Sequence, residues 1–146
     1  MYCSRSDVEM IFGADNVEKW ADLDNDADTD KIAARIEWAI ELSQQTIDDE
    51  LRGGPYEIPF DDSSASGSGS GAPVLVQDAT ARLAGVLLYE ARGAIDWDPD
   101  DGKAGHVLQP HKDHVKRFIN RVLTGRVRLD LTPTSTSYPR VIDADG

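Results

Sequence analysis

The chain has 146 residues, 40% of them hydrophobic, and a formal net charge of −12. This size suits one compact domain around one core, and no apolar run reaches the ~18 residues of a membrane span. The single cysteine, Cys3, excludes an internal disulfide and predicts a reducing compartment, and MYCSRSDVEM lacks the apolar stretch of a secretory signal.

The first short helix is expected to start at Ser6, with Glu9 closing a capping box, and to stop at Gly13. Residues 14–21, ADNVEKWA, suit a second short helix with Val17 and Trp20 on one side. Next comes DLDNDADTDK, residues 22–31, with a carboxylate at every second position from Asp22 to Asp30. Alternate acidic side chains are how a calcium loop presents oxygens to the ion. Here, however, Ala27 stands where that loop needs glycine, and Ala33 where it needs a bidentate Glu. The alternative is that the acids cap the helix that follows, with Asp30 as N-cap. Ile32, Ile36, Ala39, Ile40, Ile47 and Leu51 recur at the spacing of one buried stripe, which predicts a long helix ending at Gly53 and Gly54.

GGPYEIPF (53–60) has two prolines and reads as an extended arm bearing Tyr56, Ile58 and Phe60, followed by a flexible Ser/Gly stretch at 61–71. Pro73 opens and Gly93 closes the next helix, whose dense Val, Leu and Ala residues predict a central, close-packed position. Residues 94–106 form a polar loop. The last helix is expected from Pro110 to Thr124, with Val115, Phe118, Ile119, Val122 and Leu123 inward. RVRLDL (126–131) alternates charged and apolar residues, as a short strand does. The segment 132–146, with two prolines and little to bury, is not expected to fold alone. The fold class is therefore all-α: two short and three longer helices in a domain over 1–131, a short C-terminal strand and an extended tail.

Charge is unevenly placed. Residues 1–73 hold 5 Lys/Arg against 17 Asp/Glu, whereas residues 74–146 hold 10 of each. Lys116, Arg117, Arg121, Arg126 and Arg128 form a basic patch near the C-terminal end. Such asymmetry arises from solvated faces, or from the front of one subunit meeting the back of the next. Overall acidity disfavours nucleic-acid binding across the whole surface. His111 and His114 lie three apart, but without cysteine or the spacing of a zinc protease they read as solvated helix-face residues rather than metal ligands. No nucleophile elbow or phosphate loop is present, and nothing in the chain argues for an enzyme or a cofactor.

The opening MYCSRSDVEMIFG, the WADLDNDADTD loop, the long helix ending IDDELR, the Tyr56–Pro59 arm, the Ala-rich helix and the closing TGRVRLDL resemble, in this order, a Mu-like phage family of small helical virion neck proteins. The resemblance covers 1–131. It implies a head–tail connector, or adaptor, located in the virion neck after assembly in the host cytoplasm. Such a protein forms a dodecameric homo-oligomeric ring under the portal protein, meets a tail-side neck or tail terminator protein, and lets DNA pass without specific binding or membrane contact. On this reading Lys116, Arg117, Arg121, Arg126 and Arg128 face a neighbouring subunit. By analogy with other adaptors, Tyr138, Arg140, Val141 and Ile142 of the tail engage the portal or a neighbour. The Ser/Gly stretch and the Gly53–Pro55 extension depart from the family pattern. Two other functions remain open at this level: a soluble helical calcium-binding regulatory protein, and a DNA-binding packaging factor that uses the same basic residues.

Overall fold

The structure, a computed structural model, describes residues 1–60, 72–92, 108–127 and 129. Five helices follow in order: α1 (Arg5–Phe12), α2 (Ala14–Ala21), α3 (Thr29–Leu51), α4 (Val74–Ala91) and α5 (Gln109–Leu123). The all-α architecture of two short and three longer helices is as the periodicity predicts. Among the described residues there is no strand, and no helix is long and apolar enough to cross a membrane.

Helix starts differ from expectation by one choice of cap. The Ser4 hydroxyl accepts from the Asp7 N–H at 3.4 Å, while the Asp7 carboxylate accepts from the Ser4 N–H at 2.7 Å. The capping box is therefore Ser4/Asp7 rather than Ser6/Glu9, and Glu9 pairs instead with Arg5 at 2.6 Å. Similarly, α3 is capped by Asp28, whose carboxylate accepts from the N–H groups of Asp30 and Lys31 at 3.0 and 3.2 Å; Asp30 lies inside the first turn. Gly13 closes α1 and opens α2 at φ +91°, a conformation that side chains disfavour.

The 23 residues of α3 span ~35 Å. Its buried stripe runs Ile32, Ile36, Ala39, Ile40, Ser43, Ile47 and Leu51. Antiparallel to it lies α4, which touches every other helix. That central position rests on small residues, since Ala79, Thr80, Ala81, Ala84 and Gly85 are all buried and let backbones approach. At Gly85 the approach is closest: a Cβ there would lie 2.0 Å from the Phe12 ring. One end of the core joins α1, α2, the first half of α3 and the second half of α4; the other joins the second half of α3, the first half of α4, α5 and the arm.

Two tyrosines fasten what the helices do not. Tyr2 is buried, donates to Asp48 Oδ1 at 2.5 Å and accepts from the Phe60 N–H at 2.9 Å, so the N-terminus holds the far end of the arm against α3. Its ring meets Phe60 edge-on at 5.6 Å. Tyr56 accepts through its hydroxyl from the Leu129 N–H at 3.0 Å. After α5 the chain turns at Gly125, φ +76°, with the Arg126 N–H bonded back to the Arg121 carbonyl at 2.8 Å and Gly125 to Val122 at 3.2 Å. The strand expected at 126–131 is not seen at Arg126, Val127 or Leu129. The first two belong to this helix stop, and the third bonds a side chain rather than a neighbouring strand. Arg128, Asp130, Leu131, the Ser/Gly stretch 61–71, the loop 94–106 and the tail 132–146 lie outside the described residues.

Candidate functional site

In the Asp-rich loop the carboxylates of Asp22, Asp24, Asp26 and Asp28 are committed to the chain itself. Asp22 accepts from the N–H groups of Asp26 and Ala27, both at 3.2 Å, and Asp28 caps α3. Asp26 pairs with Lys31 at 2.7 Å, while Asp24 pairs with Arg35 at 2.9 Å and with Lys31 at 3.5 Å. Hydrogen bonds from these two cations hold Asp24 and Asp26 below the usual carboxylate range, and Lys31 is raised in return. The positive charge that a calcium ion would bring is supplied by α3. Arg92, at the end of α4, donates to the Lys19 and Asp22 carbonyls and to Asn25, so the loop is also tied to the central helix.

The histidines are not simply solvated. His111 Nδ1 accepts from Arg82 Nη1 at 2.9 Å and its ring stacks at a tilt on Phe12, centroids 4.8 Å apart. Burial lowers its pKa below 6.5, and the Arg82 guanidinium adds to the effect. Asp78 receives Arg82 at 2.8 Å and His114 at 3.2 Å, completing a polar seam between α4 and α5. Sequence spacing showed the pair on α5 but not Asp78 and Arg82 opposite, which lie one helical turn apart on α4. Among the described residues no group of acids, histidines and cysteine is arranged to hold a metal. Cys3 is buried, and that burial pushes its thiol up to about 12, where it is no nucleophile at neutral pH.

Of the predicted subunit-facing residues, Lys116, Arg117, Arg121 and Arg126 are described and exposed. Lys116, Arg117 and Arg121 lie on the exposed side of α5, away from Val115, Phe118 and Val122, which are buried, and Arg126 lies in the turn that follows the helix. Arg128 and the tail residues Tyr138, Arg140, Val141 and Ile142 lie outside the described residues. Beside this basic face runs a groove of about 530 Å³ between α4, α5 and the second half of α3. Leu83, Leu87, Ile119 and Leu123 line it, half-buried, and Glu50, Glu90, Lys112 and Lys116 stand at its rim. Lys112 pairs with Glu90.

A second surface was missed in the sequence. Trp38 and Leu42, one turn apart on α3, are 51% and 36% exposed and point away from the buried stripe. The i, i+4 spacing was visible, but Trp38 and Leu42 fall between the core positions and invite no separate reading. Glu37 and Glu41, both exposed, flank this ridge. Lys31 and Arg35 are the only cations of α3, and both are turned to the Asp-rich loop, so nothing on the helix offsets the acids beside Trp38.

No curated protein and no solved structure matches the chain. A family model does, over residues 2–141, a span that takes in the whole helical domain, the Ser/Gly stretch and part of the segment beyond Leu131. With nearly the full length matched, the chain belongs to the family described as Bacteriophage Mu, Gp36.

Proposed function

We propose that the protein is a head–tail connector: a structural component of the virion neck, not an enzyme, that forms a ring under the portal and joins the capsid to the tail side. Family membership supports the coarser statement that it is a structural or assembly protein of a phage. The observation that carries the finer one is the separation of surfaces, with an acidic α3 face bearing Trp38 and a basic α5 face beside an apolar groove. A subunit that joins identical neighbours head to tail needs two unlike faces, and this chain has them. An acidic lumen that does not retain phosphate also fits a conduit for DNA. The segment 132–146 supplies Tyr138, Arg140, Val141 and Ile142 for contact with the portal or a neighbouring copy.

Electron microscopy of the phage particle, with the protein labelled, and of the purified protein mixed with its portal, tests this. The expected result is a ring at the portal's tail-facing end. Particles that lack the protein, or a label confined to the capsid shell or the tail tip, refute it. The exposed cations of α5 also favour a second reading, a packaging factor that binds duplex DNA. That reading requires an affinity that falls steeply with salt, and absence of DNA binding at low salt removes it.

A further inference from the structure

We propose that the start of α5 is a proton-operated joint: neutral His111, by accepting from Arg82, fastens this end of α5 to α4 and α1, and protonation of the ring unfastens it. The joint belongs to a single chain, so it stands whether or not copies form a ring.

Geometry sets the protonation state. His111 Nδ1 lies 2.9 Å from Arg82 Nη1, and a guanidinium can only donate, so Nδ1 offers its lone pair and the ring proton sits on Nε2. A proton added at Nδ1 removes that acceptor and sets imidazolium against guanidinium at contact distance. The charged and titratable groups that face His111 among the described residues are Arg82 and Asp78 from α4 and His114 from its own helix, while α1 presents the Phe12 ring at 4.8 Å. Asp78 is the one acid of this set, and its Oδ2 already takes Arg82 Nε at 2.8 Å and His114 Nε2 at 3.2 Å. Position adds to the effect. His111 is the third residue of α5, at the positive end of the helix, where the first turn carries no acid and the N-cap makes no side-chain hydrogen bond. Burial, Arg82 and His114 accordingly hold the His111 pKa below 6.5, with Asp78 alone opposing them. A group so depressed lends stability that is full above 6.5 and is lost as pH falls through its folded value.

NMR of the full chain reads both parts. Ring nitrogen shifts give the tautomer and the titration of His111. Amide exchange, corrected for its intrinsic pH dependence, gives the opening of Val115 and Lys116, whose N–H groups close the first turns of α5. Expected are an Nε2–H ring at neutral pH and a titration below 6.5. On acidification the opening constant of these amides should rise about tenfold for each pH unit by which that titration falls below 6.5. They should also exchange ahead of Ile36 and Ile40 in α3, because one end of α5 opens while the bundle holds. His111→Gln keeps an acceptor for Arg82 but cannot titrate, so its α5 amides should lose this rise, whereas His114→Gln should keep one. Arg82→Gln, which takes away the facing cation, should raise the His111 pKa and shrink the rise, and it serves as the second probe if His111→Gln disturbs the fold. A ring protonated on Nδ1 at neutral pH, or a titration at or above 6.5, overturns the proposal. So does a rise that persists in His111→Gln, or α5 amides that exchange only together with those of α3.

Discussion

Asp48 is a carboxyl group held among apolar neighbours by one strong partner. Burial raises its pKa above the ordinary 3.8, opposed in part by the Tyr2 hydroxyl and by Arg52. A carboxyl whose folded pKa is raised binds its proton more tightly in the native state, so its contribution to stability is full below 3.8 and is lost as pH rises through the folded value. Asp24 and Asp26, lowered by Arg35 and Lys31, act in the opposite sense: their contribution is present above 3.8 and is lost as pH falls through their folded values. Carboxyl carbon shifts followed by NMR should therefore show Asp48 titrating above 3.8 and Asp24 and Asp26 below it, and the reverse order would mean that Asp48 is solvated. Tyr2→Phe should cost about 1–3 kcal/mol, because it leaves both Asp48 and the Phe60 N–H without their buried partner. Chemical denaturation measures it, and a change under ~0.5 kcal/mol would show that water replaces the hydroxyl. None of this was legible in the sequence beyond the presence of Tyr2 in a family pattern. The partners stand 46 and 58 positions away, and no local spacing encodes them.

At the scale of elements, the helical stripes were legible because a period of 3.6 leaves its mark over many residues. Cap positions were less so: Ser4 and Ser6, or Asp28 and Asp30, are equally good acceptors, and only the backbone decides between them. The strand expected at 126–131 is not seen at its described positions, because Arg126 and Val127 bond back to the α5 stop and the Leu129 N–H bonds the Tyr56 hydroxyl. The close crossing of α1 on α4 was foreseen only as a dense, small-residue helix. The structure makes it specific, with the Phe12 ring lying on Gly85. Gly85→Ala should lower stability by about 1–3 kcal/mol, since the Phe12 ring that must give way is also held by Trp20 and His111. Pairing it with Phe12→Leu should recover part of the loss. Equal stability of Gly85→Ala and the natural chain in thermal unfolding would mean that α1 slides without cost.

For the whole molecule, the sequence showed that acid lies toward the front and base toward the back, but not that the two come from α3 and α5 in one bundle. The outward ridge on α3 escaped notice because an exposed Trp and an inward one share the same local sequence signal. If copies join through the basic face of α5, as the connector reading requires, their contact responds to salt. Reversing Arg117 and Arg121 to Glu removes the electrostatic part, and exposed ion pairs contribute only ~0–1 kcal/mol each. The variant should keep its melting point, because both side chains lie on the outer face of α5 and the backbone bonds that close the helix are untouched. Its assembly should be weakest at low salt, where each reversed charge meets the acidic face of the next copy. At ~1 M salt the Debye length falls to ~3 Å, and the variant should then assemble as the natural chain does. Light scattering of the variant and the natural chain across a salt series reads the difference. If the Arg117 and Arg121 reversal leaves assembly unchanged at low salt, the basic face is turned to solvent in the assembly, and the acidic surface of α3 pairs elsewhere.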